Sequence, residues 1–479
     1  MEGNILVWQY GAFDGNSIPW GDYRQRALID TAVLLALAVL PHLLFRSASP
    51  ARIGTAAWFL VLLQLIGGTV RLDGKLLTDT VTGAADDSVY AFAPRNNTVL
   101  ILLDEFQGPA FQEILNRAPE YGEFFRDFTF YRNTTGSFPT TNPSVPAILT
   151  GIPYQPPGSL REFFAATLGT ESLPRAFAAA GWQSAIVTLP QLCPLIGVSP
   201  CTSLGEIAIR DPYLRRRQYI LQLLDLTLFR FAPHLLKPHV YNDEAWLLQQ
   251  QDAEPKAAPH QLMSLRLVDR LEQTAVLDPS LSGSFKFFHL LIPHTPYQRD
   301  AECGMLPPVR RGKGENYLLH AQCGLRLARR IIERIRTLGV YEDATIIVLA
   351  DHGSPANRRH VDPPPSGTRG GNPPGTRKIL RALPLLLVKG PGERHERIQT
   401  SGAPVQLIDV ARTATSLAGI PSKLPGRPVH EVAEDDPIVR RYSYYAWKNA
   451  FWQKDELPPL EHFTVRGQAW DLRNWTAEP

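Results

Sequence analysis

The chain has 479 residues, 44% of them hydrophobic and 20% charged, with a formal net charge of +3. The length suits roughly two to four domains, or one large α/β domain with appendages. The composition fits a globular protein with a membrane piece and excludes a disordered chain. So small a charge on so long a chain, with no Lys/Arg stripe interleaved with aromatics, argues against a nucleic-acid partner.

Residues 27–45 are apolar apart from Asp30, Thr31 and His42, and residues 53–70 are interrupted only by Thr55, Gln64 and Thr69. A membrane-spanning helix needs about 20 mainly apolar residues, so both runs qualify, the second barely. A transmembrane hairpin, 27–45 and 53–70, is therefore predicted; the competing reading is a pair of buried core helices. The first run starts 26 residues in and a second follows, which argues against a cleaved leader. Arg46 and Arg52 favour a cytoplasmic connecting loop with both ends outside, while Arg24 and Arg26 pull the other way. Residues 1–71 read as the membrane region and the polar stretch 72–95 as a linker.

From residue 97 strand and helix patterns alternate. Residues 97–103 form an apolar run ending in Asp104 and Glu105, as expected of a buried parallel strand that delivers acids to the carboxyl edge of a sheet. A helix is expected over 107–116, a short strand over 128–131, and a hydroxyl-rich turn at Thr140-Thr-Asn-Pro-Ser-Val-Pro146. Pro143 then starts a helix over 144–150, because its missing N–H costs nothing in a first turn. A helix over 173–180 and a strand over 184–189 follow. Helices over 264–273 and 318–338 flank a strand carrying His289 and His294. A second apolar strand, 344–350, delivers Asp351, His352 and Gly353. This pattern predicts an α/β fold, a central mostly parallel sheet with helices on both faces, over residues 96–430. Residues 214–236 open with Arg215, Arg216 and Arg217 and continue apolar; they read as an amphipathic helix on a membrane surface or as a cap helix. The Pro/Gly-rich 361–375 reads as a lip over the site, and residues 431–479 as a small C-terminal subdomain.

The four cysteines pair by local spacing, Cys193 with Cys201 and Cys303 with Cys323, which predicts two disulfide loops and an oxidising compartment. Four reduced buried cysteines are the alternative. With the apolar runs, the disulfide reading places the large domain on the extracytoplasmic, periplasmic-type side of a cell membrane.

Two strands that each unload metal-type ligands, with a hydroxyl-rich turn between them, point to metal-assisted group transfer. Asp351 and His352 supply a hard oxygen and an imidazole, a set that with Asp104 suits one divalent ion among Mn, Mg, Ca and Zn. Glu105 either ligates or supports. The nucleophile is Thr141 or Thr140, an alcohol that needs activation to ionise near neutral pH. His294 is expected to bind a phosphate or protonate a leaving alkoxide. His289, five residues earlier, is assigned to the opposite face and a structural role. His360 is a candidate for reaching the substrate or a second metal, and Arg381 and Lys389 are candidate anion contacts.

These segments resemble the sulfatase-like branch of the alkaline phosphatase superfamily, which includes sulfatases, lipoteichoic acid synthase and phosphoethanolamine transferases. The resemblance runs from about residue 97 to about residue 429. It is carried by Asp104, by Thr141-Asn-Pro-Ser144 over the signature Cys-x-Pro-Ser-Arg, by Phe287 to Tyr297, by Asp351-His-Gly353, and by residues 383–391 with 405–411. It implies Asp104, Asp351 and His352 as metal ligands, with Thr141 both nucleophile and ligand. Two departures matter. Thr cannot become formylglycine as a sulfatase nucleophile must, and Val145 stands where the signature has Arg. The resemblance therefore implies a phosphoryl-transfer enzyme with a phospho-Thr intermediate, and the expected membrane anchor and outward domain suggest a phospholipid head group as donor and a cell-envelope glycan or lipid as acceptor. A phosphodiesterase or sulfuric-ester hydrolase using water is the alternative, and a non-catalytic membrane-anchored binder the third reading.

Overall fold

The computed structural model describes Tyr10, Ile18 and residues 20–44, 87–204, 212–241, 246–248, 259–306, 313–361, 375–446 and 456–478. The chain divides into two compact units. One draws on residues 1–8, 17–85 and 212–252; the other on 9–16, 86–211 and 253–479. The helices, in chain order, include α1 (Arg24–Leu44), α2 (Gly108–Arg117), α3 (Thr141–Thr150), α4 (Leu173–Ala179), α5 (Pro212–Phe231), α6 (Lys237–Tyr241), α7 (Pro259–Thr274), α8 (Lys313–Thr337), α9 (Thr376–Leu380) and α10 (Val410–Leu417).

The larger unit is built on an eight-stranded sheet of β1 (Asn97–Leu103), β2 (Thr129–Tyr131), β3 (Gln183–Thr188), β4 (Cys201–Ser203), β5 (Ser284–Leu290), β6 (Thr345–Leu349), β7 (Leu386–Lys389) and β8 (Gln399–Ser401). Their spatial order is β8-β2-β7-β6-β1-β5-β3-β4. Every neighbouring pair is parallel except that β7 runs against both β6 and β2. The expected mostly parallel sheet is therefore present. β1 lies at its centre, with Leu100 opposite Phe287 of β5 and Ile347 of β6. All residues of β1, β5 and β6 are buried, which is why these strands read as nearly unbroken apolar runs rather than alternating ones.

Helices cover both faces. Val145 and Leu149 of α3, Phe177 of α4 and Val410 of α10 share one core with Phe285 and Phe287 of β5; the Phe177 and Phe285 rings stack at 4.6 Å. Towards the other side, Phe111 of α2 meets Phe130 of β2 edge-on at 5.0 Å. Both disulfides form as the spacing predicts, Cys193–Cys201 and Cys303–Cys323.

Three boundaries differ from the sequence reading. Residues 87–95 are built into the domain: Val89, Tyr90 and Phe92 are buried, and Ala91–Phe92 pairs with Val276–Leu277. Residues 72–86 of the expected linker lie outside the described residues. At the other end, strands β9 (Val439–Tyr444), β10 (Glu461–Arg466) and β11 (Trp475–Ala477) form their own antiparallel sheet. Its Tyr442 and Phe463 pack on Ile379 and Ala382, and Val465 packs on Leu383, so 431–479 shares a core with the main domain. Finally, 212–252 groups with the N-terminal unit instead of continuing the domain around it.

In the smaller unit α1 falls on the first predicted span. It carries Asp30, buried, whose Oδ2 accepts the His234 backbone N–H at 3.1 Å. Among the described residues no helix is long and apolar enough to cross a membrane. The second predicted span, 53–70, lies outside the described residues.

Candidate active site

Asp104 follows the last residue of β1, and its backbone N–H still donates to Leu290 of β5 at 3.0 Å. Asp351 follows β6 by two residues, so the central parallel pair releases both acids at the same edge of the sheet. The chain turns sharply between the two adjacent acids, because Glu105 adopts a left-handed φ of 63°, a conformation uncommon outside glycine. That turn sends the Asp104 and Glu105 carboxylates to different partners. Gly353 is required for a different reason. A Cβ there would lie 2.4 Å from the Leu380 carbonyl oxygen, and the Gly353 N–H donates to Arg381 at 2.8 Å.

Asp104, Asp351 and His352, all buried, each bring one ligand atom to within 4.8 Å of the others. His352 Nδ1 donates to the Gly353 carbonyl at 3.0 Å, so in the neutral ring Nε2 carries a lone pair. That nitrogen faces Asp351 Oδ2 at 3.5 Å and Asp104 Oδ1 at 3.9 Å. Both of these oxygens are buried without a hydrogen-bond partner among the described residues. Three electron-rich atoms converging without a donor between them are unfavourable unless a cation joins them. The donor set therefore fits a divalent ion. Asp351 is held for that task by its other oxygen, which accepts the N–H groups of Glu105 at 3.0 Å and His352 at 2.9 Å.

Thr141 is the first residue of α3, and its Oγ1 donates to Asp104 Oδ2 at 3.3 Å. Thr140 faces elsewhere, sharing a short hydrogen bond with the Tyr445 hydroxyl. Of the two threonines, 141 is thus the one beside the acid cluster. Ser144 Oγ bonds the Phe138 carbonyl at 3.3 Å, and Asn142 Oδ1 accepts from Gln191, so both brace the turn.

His289 does not sit where strand parity was expected to put it. Its Nε2 donates to Asp104 Oδ2 at 3.3 Å, and its Nδ1 meets Thr188 Oγ1 at 3.3 Å. It alternates with Phe285 and Phe287, whose face packs against α3, and so belongs to the site. The comparison with His294 failed because β5 ends at Leu290 and parity does not carry through the following loop. His294 nonetheless reaches the same cleft, close enough to favour the charged forms of both Asp104 and Glu105. Its Nδ1 donates to the Thr295 carbonyl at 2.8 Å. Burial alone would push the Asp104 carboxyl upward, but His294 and the hydrogen bond from His289 outweigh it and hold it well below the usual range.

Glu105 is saturated where Asp104 is not. Its Oε1 accepts from Tyr297 at 3.2 Å and Ser354 at 3.0 Å, and its Oε2 from the Thr295 N–H at 3.4 Å. Burial opposes its charge, but Arg381 and His294 outweigh that and lower its pKa. Glu105 therefore supports the site through hydroxyls and Arg381, outside the converging trio. Arg381 in turn donates to the Pro139 carbonyl at 3.1 Å, just before the Thr140–Thr141 turn. It also lines a recess of about 530 Å³ with Arg377, Lys378 and Tyr444.

Two sequence candidates fall outside the cluster. His360 Nε2 pairs with Glu113, a half-buried acid on α2, at 2.7 Å. Lys389 ends β7 and is buried, and its Nζ donates to the carbonyls of Glu342, Ala344 and Gly390. It is no anion contact, and burial pushes its pKa down to about 8.

No protein-family model matches the chain, and no curated protein matches it. Solved structures do. The lipoteichoic acid synthase LtaP from Listeria monocytogenes is 9% identical, with 81% of this chain and 88% of that chain covered and a TM-score of 0.45. A phosphonate monoester hydrolase from Silicibacter pomeroyi is 16% identical, over 78% and 87% of the two chains, at 0.44. A 2-O GAG sulfatase is 10% identical, over 78% and 81%, at 0.47. With identities this low and TM-scores below 0.5, the chemistry has to be read from the chain's own side chains.

Proposed function

We propose that this chain is a metal-dependent phosphoryl-group transferase or phosphodiester hydrolase that works through Thr141. The observation that carries the reading is the convergence of two partnerless carboxylate oxygens and one imidazole lone pair beside a threonine hydroxyl. Asp104, Asp351 and His352 would hold one divalent ion, with Thr141 at its edge. Two oxygens and one imidazole favour Mn, Zn or Mg over Ca. When bound, the ion neutralises nonbridging phosphate oxygens and lowers the cost of ionising a nearby hydroxyl.

The residues divide the remaining work. Thr141 opens α3, where the helix dipole favours an anionic substrate. Thr141 would react as the alkoxide, its hydroxyl proton given up to solvent beforehand and the same alkoxide regenerated at the end; its Oγ attacks phosphorus in line, and the new Oγ–P bond forms as the P–O bond to the leaving alcohol breaks. His294 supplies the proton to the leaving alkoxide. In the second step an acceptor alcohol, or water, gives its proton to His294, takes the phosphoryl group and restores Thr141. His289 keeps Asp104 ionised and aimed, and Arg381 draws the substrate's charge towards the Thr140–Thr141 turn.

The donor that suits the rest of the chain is a phospholipid head group, and the acceptor a cell-envelope glycan or lipid. Support comes from the apolar sequence run at 53–70 and from two disulfides, which fit a domain anchored to the cell membrane on its extracytoplasmic side. Intact-mass analysis after incubation with a phospholipid donor tests the whole reading. A covalent adduct absent from Thr141→Ala is expected, and its mass identifies the transferred group. Turnover of Thr141→Ala should fall by at least about 10³-fold. An adduct that persists in this variant overturns the assignment. Faster donor consumption with added glycan than with water alone separates transferase from hydrolase.

A further inference from the structure

Helix α5 has two unlike faces. Inward, Asp225 and Phe229 are buried: Asp225 accepts the Leu248 N–H at 2.8 Å, and the Phe229 ring packs against Trp20, Tyr241 and Trp246 at 5.9–6.3 Å. Outward, Ile220, Leu223, Leu224, Leu228 and Phe231 are 42–63% exposed. Their spacing is that of one helical stripe. Leu235 and Leu236, just past the helix end, continue it at 63% and 53%. Single exposed leucines are ordinary, but a contiguous apolar stripe of this length on a folded surface marks a contact.

The charges say what the contact is. Between Pro212 and Tyr241 the sequence holds Arg215, Arg216, Arg217 and Arg230, of which Arg230 is exposed, whereas Lys237 and the one acid, Asp225, are buried. The stretch therefore combines an exposed apolar stripe with an excess of arginine and no exposed acid. α5 is also tied to the start of the apolar helix α1, through the Trp20 ring against Phe229 and His234 and through Asp30 on the His234 N–H. α1 itself exposes Leu28, Leu35 and Val39.

We infer that the outward face of α5, with Leu235 and Leu236, lies in the interfacial layer of an anionic lipid bilayer. The stripe sinks to the level of the upper acyl chains, and the arginines meet lipid phosphates. A protein groove would have to match a long greasy stripe with negative charge along its length; an anionic bilayer offers both at once. This inference is independent of the catalytic reading and of whether 27–45 and 53–70 cross the membrane.

All four native cysteines are in disulfides, so Leu223→Cys in the full chain gives a single free thiol for an environment-sensitive nitrobenzoxadiazole label. With phosphatidylglycerol vesicles the label should brighten several-fold and be quenched by a nitroxide near the lipid head group. The same label at Gln222→Cys, exposed but outside the stripe, should respond much less. Arg215, Arg216 and Arg217 each changed to Glu should reduce the preference for phosphatidylglycerol over phosphatidylcholine vesicles by at least about tenfold. A label at position 223 that stays in water while the protein floats with the vesicles overturns the inference. So does an equal response to both lipids. A lipid-free shift that grows with protein concentration would assign the stripe to a second copy of the chain instead.

Discussion

Asp104 and Glu105 are adjacent in sequence, equally buried, and opposite in what surrounds them. Asp104 keeps one oxygen without a donor beside two other electron-rich atoms. Glu105 is hydrogen-bonded by Tyr297, Ser354 and a backbone N–H, and faces Arg381. The difference teaches how to tell a ligand from a brace: a carboxylate waiting for a cation has an unspent oxygen, and a structural one does not. The largest expected effect follows directly. Chelation, or Asp351→Asn, should remove activity by at least about 10³-fold, since the ion and the oriented hydroxyl are lost together. Adding Mn or Zn to the apo form should raise its melting temperature, and Asp351→Asn should abolish that rise. A melting temperature indifferent to every divalent ion would break the distinction between the two acids.

His289 sharpens it at the next level down. Its imidazole aims Asp104 without joining the trio, so His289→Ala should cost about 10–100-fold in activity or metal affinity. His289→Gln, which can still donate to Asp104, should recover part of it. A merely structural histidine would lower stability and leave metal affinity untouched. In the sequence this role was hidden by a parity argument carried four residues past the point where the strand stops. The correct signal was local: His289 alternates with Phe285 and Phe287, and those two face α3.

On the saturated side, Glu105→Gln keeps acceptors for Tyr297 and Ser354 but removes the charge facing Arg381. It should destabilise the domain by about 1–3 kcal/mol while changing metal affinity by less than about threefold. Equal metal loss from Glu105→Gln and Asp104→Asn would place both acids at the ion and erase the contrast.

Much of this was legible from local pattern. The apolar runs fixed β1 and β6 because strands buried on both faces need no alternation, and the acids at their ends marked the functional edge. The disulfides followed from spacing alone. What was not legible depends on contacts distant in sequence: Tyr445 engaging Thr140, Arg381 reaching the Pro139 carbonyl, and His360 captured by Glu113. The grouping of 212–252 with the N-terminal unit was equally hidden, since a helix pattern says which face is apolar and not what lies against it.

Behind the Glu105 side sits His320, fully buried, its ring 6.1 Å from that of Tyr297, its Nδ1 accepting the Arg299 N–H at 3.1 Å. Burial, with His260 and Arg299 adding to it, lowers its pKa to about 3. The unfolded chain takes up this proton near pH 6.5 and the folded chain does not until about pH 3. Stability should therefore be fully present above pH 6.5 and decline as pH falls from there towards 3. At about 1.4 kcal/mol per pH unit, the contribution lost between pH 6.5 and 5 is about 2 kcal/mol. His320→Gln, which retains an acceptor for the Arg299 N–H, should flatten that part of the urea-denaturation pH profile. Metal affinity at pH 7.5 should not move, because His320 lies on the braced side. A profile as steep in His320→Gln as in the parent chain would overturn the assignment of this acid sensitivity to His320.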